Sequence, residues 1–207
     1  SATNHGVLVM NMPDGNTISA AEHSMALISA LSRNIHSAHI GMIAGEWNRH
    51  KLVGNELRGK ILGIVGLGRI GKELIKRAHS YGMKIIGFDP YVHQDMFDLE
   101  KIKIVELDEL TESSDFISLH IPLLDSTENL FDIERFSMMK SSSRIINVAR
   151  GGIINEIDLA KALNNNLISG AAIDVFNKEP IEKNHPLLNA KNILLTPHLG
   201  ASTHEAK

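Results

Sequence analysis

One stretch, Lys60 to Gly71, limits the fold of this chain more than any other. Lys60-Ile61-Leu62-Gly63-Ile64-Val65 reads as an apolar strand, Gly66-Leu67-Gly68-Arg69-Ile70-Gly71 follows without a break, and a helical pattern comes next. A strand, a Gly-x-Gly-x-x-Gly turn and a helix in that order open an α/β unit whose helix N-terminus faces an anion. Gly66 permits the tight turn, Gly68 lets a pyrophosphate approach the backbone, and Gly71 lets helix and strand pack closely. The next apolar run ends at Asp89, 18 residues after Gly71. A carboxylate there can accept hydrogen bonds from a ribose diol and would repel a 2′-phosphate; Pro90 and Tyr91 follow it and bring no cation. The stretch points to a dinucleotide, NAD in preference to NADP. The alternative is an ordinary glycine-rich loop of an α/β protein.

The rest of the chain alternates in the same way. Strands are predicted at 61–65, 84–88, 102–105, 116–120, 144–148, 169–175 and 192–195, and helices at 69–81, 107–112, 133–139 and 156–164, the last capped by Asn155. Continuous apolar runs such as Phe116-Ile117-Ser118-Leu119 suit a parallel sheet covered on both faces. The fold class is α/β: a Rossmann-type, doubly wound, mostly parallel sheet with helices on both faces. Ahead of it, residues 7–12 read as a short strand. Ser19-Ala20-Ala21-Glu22 has the form of a capping box, which predicts one long helix rich in small residues, from about Ile18 to about Ile43. Residues 46–59 are polar and irregular and carry the only Trp, Trp47. Ser202-Thr203-His204-Glu205 offers a second capping box.

Composition removes several classes of function. The 207 residues carry a net charge of −3 and no long basic cluster, which argues against a nucleic-acid partner. With no cysteine, disulfides and thiolate zinc sites are excluded, and no His pair has metal-ligand spacing with a third ligand, so no metal site is expected. No apolar run reaches membrane-spanning length and no signal peptide opens the chain, so no membrane partner and a cytoplasmic location are expected. Residue 1 is not Met, and the chain is expected to lie inside a longer protein.

Three further spots carry chemistry. Asn147-Val148-Ala149-Arg150-Gly151-Gly152 places Arg150 at the carboxyl end of a strand, where open α/β sheets bind ligands. Ala171 to Phe176 puts Asp174 in a nearly apolar strand, with Glu179-Pro180 just after, and Thr196-Pro197-His198-Leu199-Gly200 ends a strand at a His. Arg, Glu and His at three strand ends suit alcohol–ketone redox chemistry on a small anionic substrate. Arg can grip a carboxylate in a fork, His can take a hydroxyl proton, and a carboxylate beside an imidazole favours the protonated ring. Each residue taken alone also fits a plainer role: Arg150 in a surface loop, Glu179 as a solvated charge, His198 as a helix cap or a satisfied core His. The other ten His form no site; His23, His36 and His39 fall on or near the long helix and read as surface or packing residues.

Taken together these residues resemble the D-2-hydroxyacid dehydrogenases. The matching stretches are Gly6 to Asn11 with Asn16 and Ser19 to Glu22, Leu57 to Gly71, Phe88-Asp89-Pro90, His120-Ile121-Pro122-Leu123, Asn147 to Gly152, Ala171 to Phe176 with Glu179-Pro180, and Thr196 to Thr203. They span nearly the whole chain in the family's order. The resemblance implies a catalytic trio of Arg150, Glu179 and His198. It implies an NAD site lined by Gly66, Gly68, Arg69, Ile70, Gly71, Asp89, Ile121, Val148, Ala149, Arg150, Asp174, His198, Leu199, Gly200 and Ala201. Asp174 would meet the carboxamide end of the nicotinamide, or else be a buried polar residue satisfied by backbone. Substrate contacts would come from Asn16, Arg150 and His198, the substrate being a phosphorylated 2-hydroxy acid.

The resemblance also implies domain organisation. Residues 1–207 would be the NAD-binding domain, with 1–16 leading in from a substrate domain and 201–207 beginning the helix that returns to it. That substrate domain lies mostly in chain before Ser1, so this chain would bind NAD and be poorly active alone. A homodimer through the long helix and the 42–58 segment is expected. Two other readings share these features: a glyoxylate or hydroxypyruvate reductase, and a non-enzymatic NAD(H)-sensing corepressor-like protein.

Overall fold

A computed structural model describes residues 5–7, 15–92 and 102–206. Its elements, in chain order, are α1 (Thr17–Ser32), α2 (Ile35–Ile43), β1 (Ile61–Val65), α3 (Arg69–Ser80), β2 (Lys84–Phe88), β3 (Lys103–Ile104), α4 (Leu107–Ser113), β4 (Phe116–Leu119), α5 (Ile133–Met138), β5 (Arg144–Asn147), α6 (Glu156–Asn164), β6 (Gly170–Ile173) and β7 (Ile193–Leu195). Short 3-10 turns lie at Arg49–Lys51 and Pro186–Asn189.

The seven strands form one sheet in the order β3-β2-β1-β4-β5-β6-β7, and every pairing between them is parallel. Successive side chains of a strand point to opposite faces, and the core divides accordingly. Val65, Ile117, Leu119, Ile145, Ala171 and Ile173 join Leu110, Phe136 and Leu159 of α4, α5 and α6 on one face. Leu62, Ile64, Phe116, Ile146 and Ala172 join Ile28 of α1 and Leu74 and Ile75 of α3 on the other. The chain leaves β1 for β2 on one side and later returns to β4 on the other. The sheet order therefore reverses at the carboxyl end of β1, where such folds open a ligand crevice.

The strands and helices expected between residues 61 and 195 all form, several of them one to three residues shorter. β3 keeps only Lys103 and Ile104 of 102–105, and β6 keeps 170–173 of 169–175. Asn155 caps α6 by accepting from the Asp158 N–H at 3.1 Å. Apart from Val7, which lies in no strand, the strand expected at 7–12 falls outside the described residues.

Three expectations at the two ends are corrected. The long helix is two helices. Segment 53–55 returns to the end of α1, where the Asn55 N–H donates to Ser32 O at 2.7 Å and Asn34 Nδ2 donates to Val53 O at 3.3 Å. Asn34 turns the chain with φ of +52°, a left-handed conformation Asn tolerates better than most residues. Ser19 is not the cap either: α1 starts at Thr17, Ser19 Oγ donates to Asn16 O at 3.0 Å, and Glu22 accepts from Arg77 Nη2 of α3 at 3.0 Å. Residues 201–206 form turns rather than a helix, with Thr203 Oγ accepting from the Ala206 N–H at 3.1 Å.

Candidate active site

The glycine turn has the geometry its sequence demands. Gly66 has φ of +97°, and a side chain there would run into the His120 carbonyl. A Cβ on Gly71 would lie 2.3 Å from Gly66 O, so α3 and β1 approach as closely as backbone allows. A Cβ on Gly68 would meet nothing within 4 Å: the space over this glycine is open. Gly68 is also the N-cap of α3 and supplies no side-chain cap. An open face beside an uncapped helix start fits a pyrophosphate group. Asp89 lies beside the turn, its carboxylate accepting from Leu67 N–H at 2.9 Å and from Tyr91 N–H at 3.0 Å. Each of its oxygens keeps a second lone pair for a ligand.

Arg150 follows β5, on a turn shaped by buried Asn147. Asn147 Oδ1 accepts from the Ala149 N–H at 3.0 Å, and its Nδ2 donates to Arg150 O at 2.9 Å. Arg150 Nη1 rests on Ala149 O at 2.6 Å. Glu179 follows β6: its Oε1 accepts from the Phe176 N–H at 3.0 Å, and its Oε2 lies 2.7 Å from His198 Nδ1. Burial opposes the charge of Glu179, but the bonds from His198 and Phe176 outweigh it and hold the carboxyl below the usual glutamate range.

His198 sits in the left-handed region at φ +55°, a conformation of an L-residue that costs about 1–2 kcal/mol unless its surroundings hold it. Asp174 does the holding. Its backbone O accepts from the His198 N–H at 2.9 Å, and its carboxylate takes the Leu199 N–H at 2.8 Å, the Gly200 N–H at 2.9 Å and Thr196 Oγ1 at 2.5 Å. The fourth partner is His23 Nε2 of α1, at 3.2 Å. Asp174 is fully buried, which works against its charge, yet the bonds from His23, Thr196 and Leu199 keep its carboxyl below the usual range. The carboxylate thus gathers the loop that presents His198.

A cleft of about 230 Å³ joins these parts. Of the residues singled out in the sequence, Asn16, Ile70, Ile121, Val148, Ala149, Arg150, His198, Gly200 and Ala201 line it. Gly66, Gly68, Arg69, Gly71 and Asp89 form or flank the glycine turn. Glu179 stands behind His198, while Asp174 lies buried beneath Leu199 and Gly200 and does not line the cleft.

Among the residues that sequence reasoning misses are two histidines. His23 falls on the predicted helix with no local sign of a partner 151 positions away; only the need of a buried Asp for donors could have pointed to it. His120 lines the cleft, its Nε2 2.9 Å from Ser118 Oγ. Burial lowers its pKa to about 4, so the ring is neutral at pH 7.

A doubly wound sheet with a glycine turn at its reversal point and an Arg, a Glu–His pair and a cleft at its strand ends defines a dinucleotide-binding domain of an oxidoreductase. The family profile "D-isomer specific 2-hydroxyacid dehydrogenase, NAD binding domain" matches residues 25–200, and the chain belongs to that family; NAD is its cofactor. Over the whole chain it is 48% identical to D-3-phosphoglycerate dehydrogenase of Bacillus subtilis and 45% identical to that of Methanocaldococcus jannaschii, covering 39% and 40% of those proteins. The chain thus spans about two-fifths of their length. Among solved structures it is similar to an NAD-dependent formate dehydrogenase from Staphylococcus aureus in complex with NAD, with a TM-score of 0.87, 35% identity, and coverage of 99% of this chain and 62% of that one.

Proposed function

We propose that this domain serves an enzyme that oxidises 3-phospho-D-glycerate to 3-phosphohydroxypyruvate in serine synthesis. The observation that carries the reading is the 2.7 Å pairing of Glu179 with His198 in a loop that also brings His198 into one cleft with Arg150. With Nδ1 engaged by Glu179, Nε2 is the ring nitrogen left for a substrate hydroxyl. His198 takes the hydroxyl proton, and Glu179 stabilises the ring in the protonated state that results. Arg150 offers a planar fork of donors to the substrate's carboxylate or developing carbonyl oxygen, and Asn16, which lines the same cleft, adds a contact. Bound NAD supplies the hydride acceptor. Gly66 to Gly71 hold its pyrophosphate and Asp89 its ribose, and Ile70, Ile121, Val148 to Arg150 and His198 to Ala201 form its walls.

The choice of 3-phosphoglycerate rests on the curated relatives of that name. The remaining substrate contacts we assign to chain outside this domain, residues 1–16 leading in and 201–207 leading out. Assaying this chain beside a version extended at both ends tests the assignment. The extended enzyme should turn over 3-phosphoglycerate and the domain alone very poorly, because orientation and water exclusion supply much of the barrier reduction. Preference for glyoxylate or hydroxypyruvate would transfer the reading to a reductase of the same family. A folded, NAD-binding extended protein that oxidises and reduces nothing would favour an NAD(H) sensor.

The reading also includes a homodimer. α1 is consumed within its own chain, where Ala21, Leu27 and Ile28 are buried, but α2 buries no residue. Ile40, Ile43, Trp47 and Val53 are 66%, 75%, 78% and 80% exposed, an apolar surface of the kind that marks an interface. Sedimentation should show a dimer that Ile43→Glu with Trp47→Glu dissociates. We place the enzyme in the cytoplasm, in line with its lack of cysteine; among the described residues no helix is long and apolar enough to cross a membrane.

A further inference from the structure

A second carboxylate–imidazole pair lies behind the first. Glu156 is the first residue of α6, where the helix N-terminus favours an acidic side chain. It is 7% exposed, and its Oε2 lies 3.0 Å from His185 Nε2. The ring has a fixed orientation: its Nδ1 accepts from the Leu187 N–H at 3.3 Å, and buried Leu187 anchors the 3-10 turn that follows. The other oxygen of Glu156 accepts from the Asn177 N–H at 2.8 Å. The neighbouring Phe176 N–H binds Glu179, and Glu179 binds His198. On the opposite side, the Phe176 carbonyl lies so close to Gly151 that any side chain there would collide with it. The loop between β6 and the 3-10 turn is therefore clamped between the Arg150 turn and Glu156.

We propose that Glu156 and His185 are positioning residues for Glu179: they fix the Phe176–Asn177 peptide, and through it the adjoining Val175–Phe176 peptide whose N–H orients the Glu179 carboxylate toward His198. The proposal rests on the role of Glu179 given above, but its geometry is independent of substrate. Burying a carboxylate and an imidazole to hold one loop N–H is costly unless that loop has to be exact to a few tenths of an ångström. The loop that carries Glu179 has that requirement, since 2.7 Å separates it from His198.

The direction of one titration separates this role from a purely electrostatic one. Removing the negative charge of Glu156 would by itself lower the Glu179 pKa, because a like charge has gone. Loosening the loop weakens the contact with His198 that now depresses the Glu179 carboxyl, and so raises it. The groups facing Glu179 are His198, which lowers its pKa, and Asp174, which raises it. Both are intact in every variant below.

The experiment is a carbon-13 NMR titration of the Glu179 carboxyl in this chain, with Glu156→Ala, Glu156→Gln and His185→Ala beside the parent. Amide hydrogen exchange reports on Asn177. The expected result is a Glu179 pKa that climbs toward the ordinary glutamate value in Glu156→Ala and His185→Ala, with lost protection at Asn177. In Glu156→Gln, which keeps the acceptor for Asn177 but removes the charge, it should stay at the parent value or fall below it, never climb. A Glu179 pKa that stays put or falls in folded Glu156→Ala overturns the proposal. Should that variant fail to fold, His185→Ala decides by the same sign. The substrate assays above can fail while this titration succeeds, and the reverse.

Discussion

Gly68 and Gly71 have opposite surroundings, and substituting each by Ala should separate binding from folding. At Gly68 the added methyl meets nothing within 4 Å, and φ of −70° suits any residue. Ala is a poorer helix cap than Gly, but it also restricts the unfolded chain, and the two effects, each about 0.5–1 kcal/mol, nearly cancel. The melting temperature of Gly68→Ala should therefore stay within about 2 °C of the parent. The same methyl fills the space left for a pyrophosphate. Displacing the phosphate from one backbone N–H removes a charged hydrogen bond worth roughly 1.5–3 kcal/mol, so the Kd for NAD should rise about 10- to 150-fold. At Gly71 the methyl would sit 2.3 Å from Gly66 O, a backbone atom that cannot move without opening the β1–α3 contact. Overpacking of this kind costs about 1–3 kcal/mol and exceeds the ~1 kcal/mol that Ala adds to helix propensity. Gly71→Ala should lose both several degrees of melting temperature and NAD affinity. Calorimetric titration with NAD and thermal unfolding measure the two quantities. Parent-like NAD affinity in Gly68→Ala would refute the placement of the pyrophosphate.

Asp174→Asn should cost about 1–3 kcal/mol in urea unfolding, because an amide cannot accept from all four of its partners and leaves buried N–H groups unpaired. His120, whose pKa falls from 6.5 to about 4 on folding, should make stability decline as pH drops from 6.5 toward 4, by at most about 3 kcal/mol. The sign follows because the unfolded ring binds a proton in that window and the folded ring does not; His120→Asn should flatten that part of the profile, and an unchanged slope would show that the ring is not desolvated. Titration with NAD and NADP should favour NAD, and Asp89→Ala should weaken NAD binding and narrow the difference; equal binding of both by the parent would remove Asp89 from the ribose site.

The sequence made the sheet and the glycine turn legible because both are local. β1 and β2 occupy the expected 61–65 and 84–88, and the turn between β1 and α3 is written in three glycines, two of which, Gly66 and Gly71, leave no room for a side chain while Gly68 leaves its face open. The Glu179–His198 contact was legible because both residues follow strands that are neighbours in the sheet. What stayed hidden depends on distant chain. The apolar pattern runs through Asn34, and only the return of residues 53–55 onto Ser32 breaks the helix there. That Asp174 is held by His23 and Thr196 cannot be read from its own strand, because both partners come from other parts of the chain. Glu156 and His185 look like a helix start and a loop, and their pairing needs α6 and the 3-10 turn brought together.

The central claim is that the glycine turn and the cleft between Arg150 and His198 are two ends of one NAD site. A crystal structure of this chain with NADH tests it most directly. The account predicts the pyrophosphate on the N–H groups of the 66–71 turn, the ribose hydroxyls on Asp89, and the nicotinamide in the cleft beside Arg150 and His198. A dinucleotide bound elsewhere, or one whose nicotinamide lies away from both side chains, would contradict it.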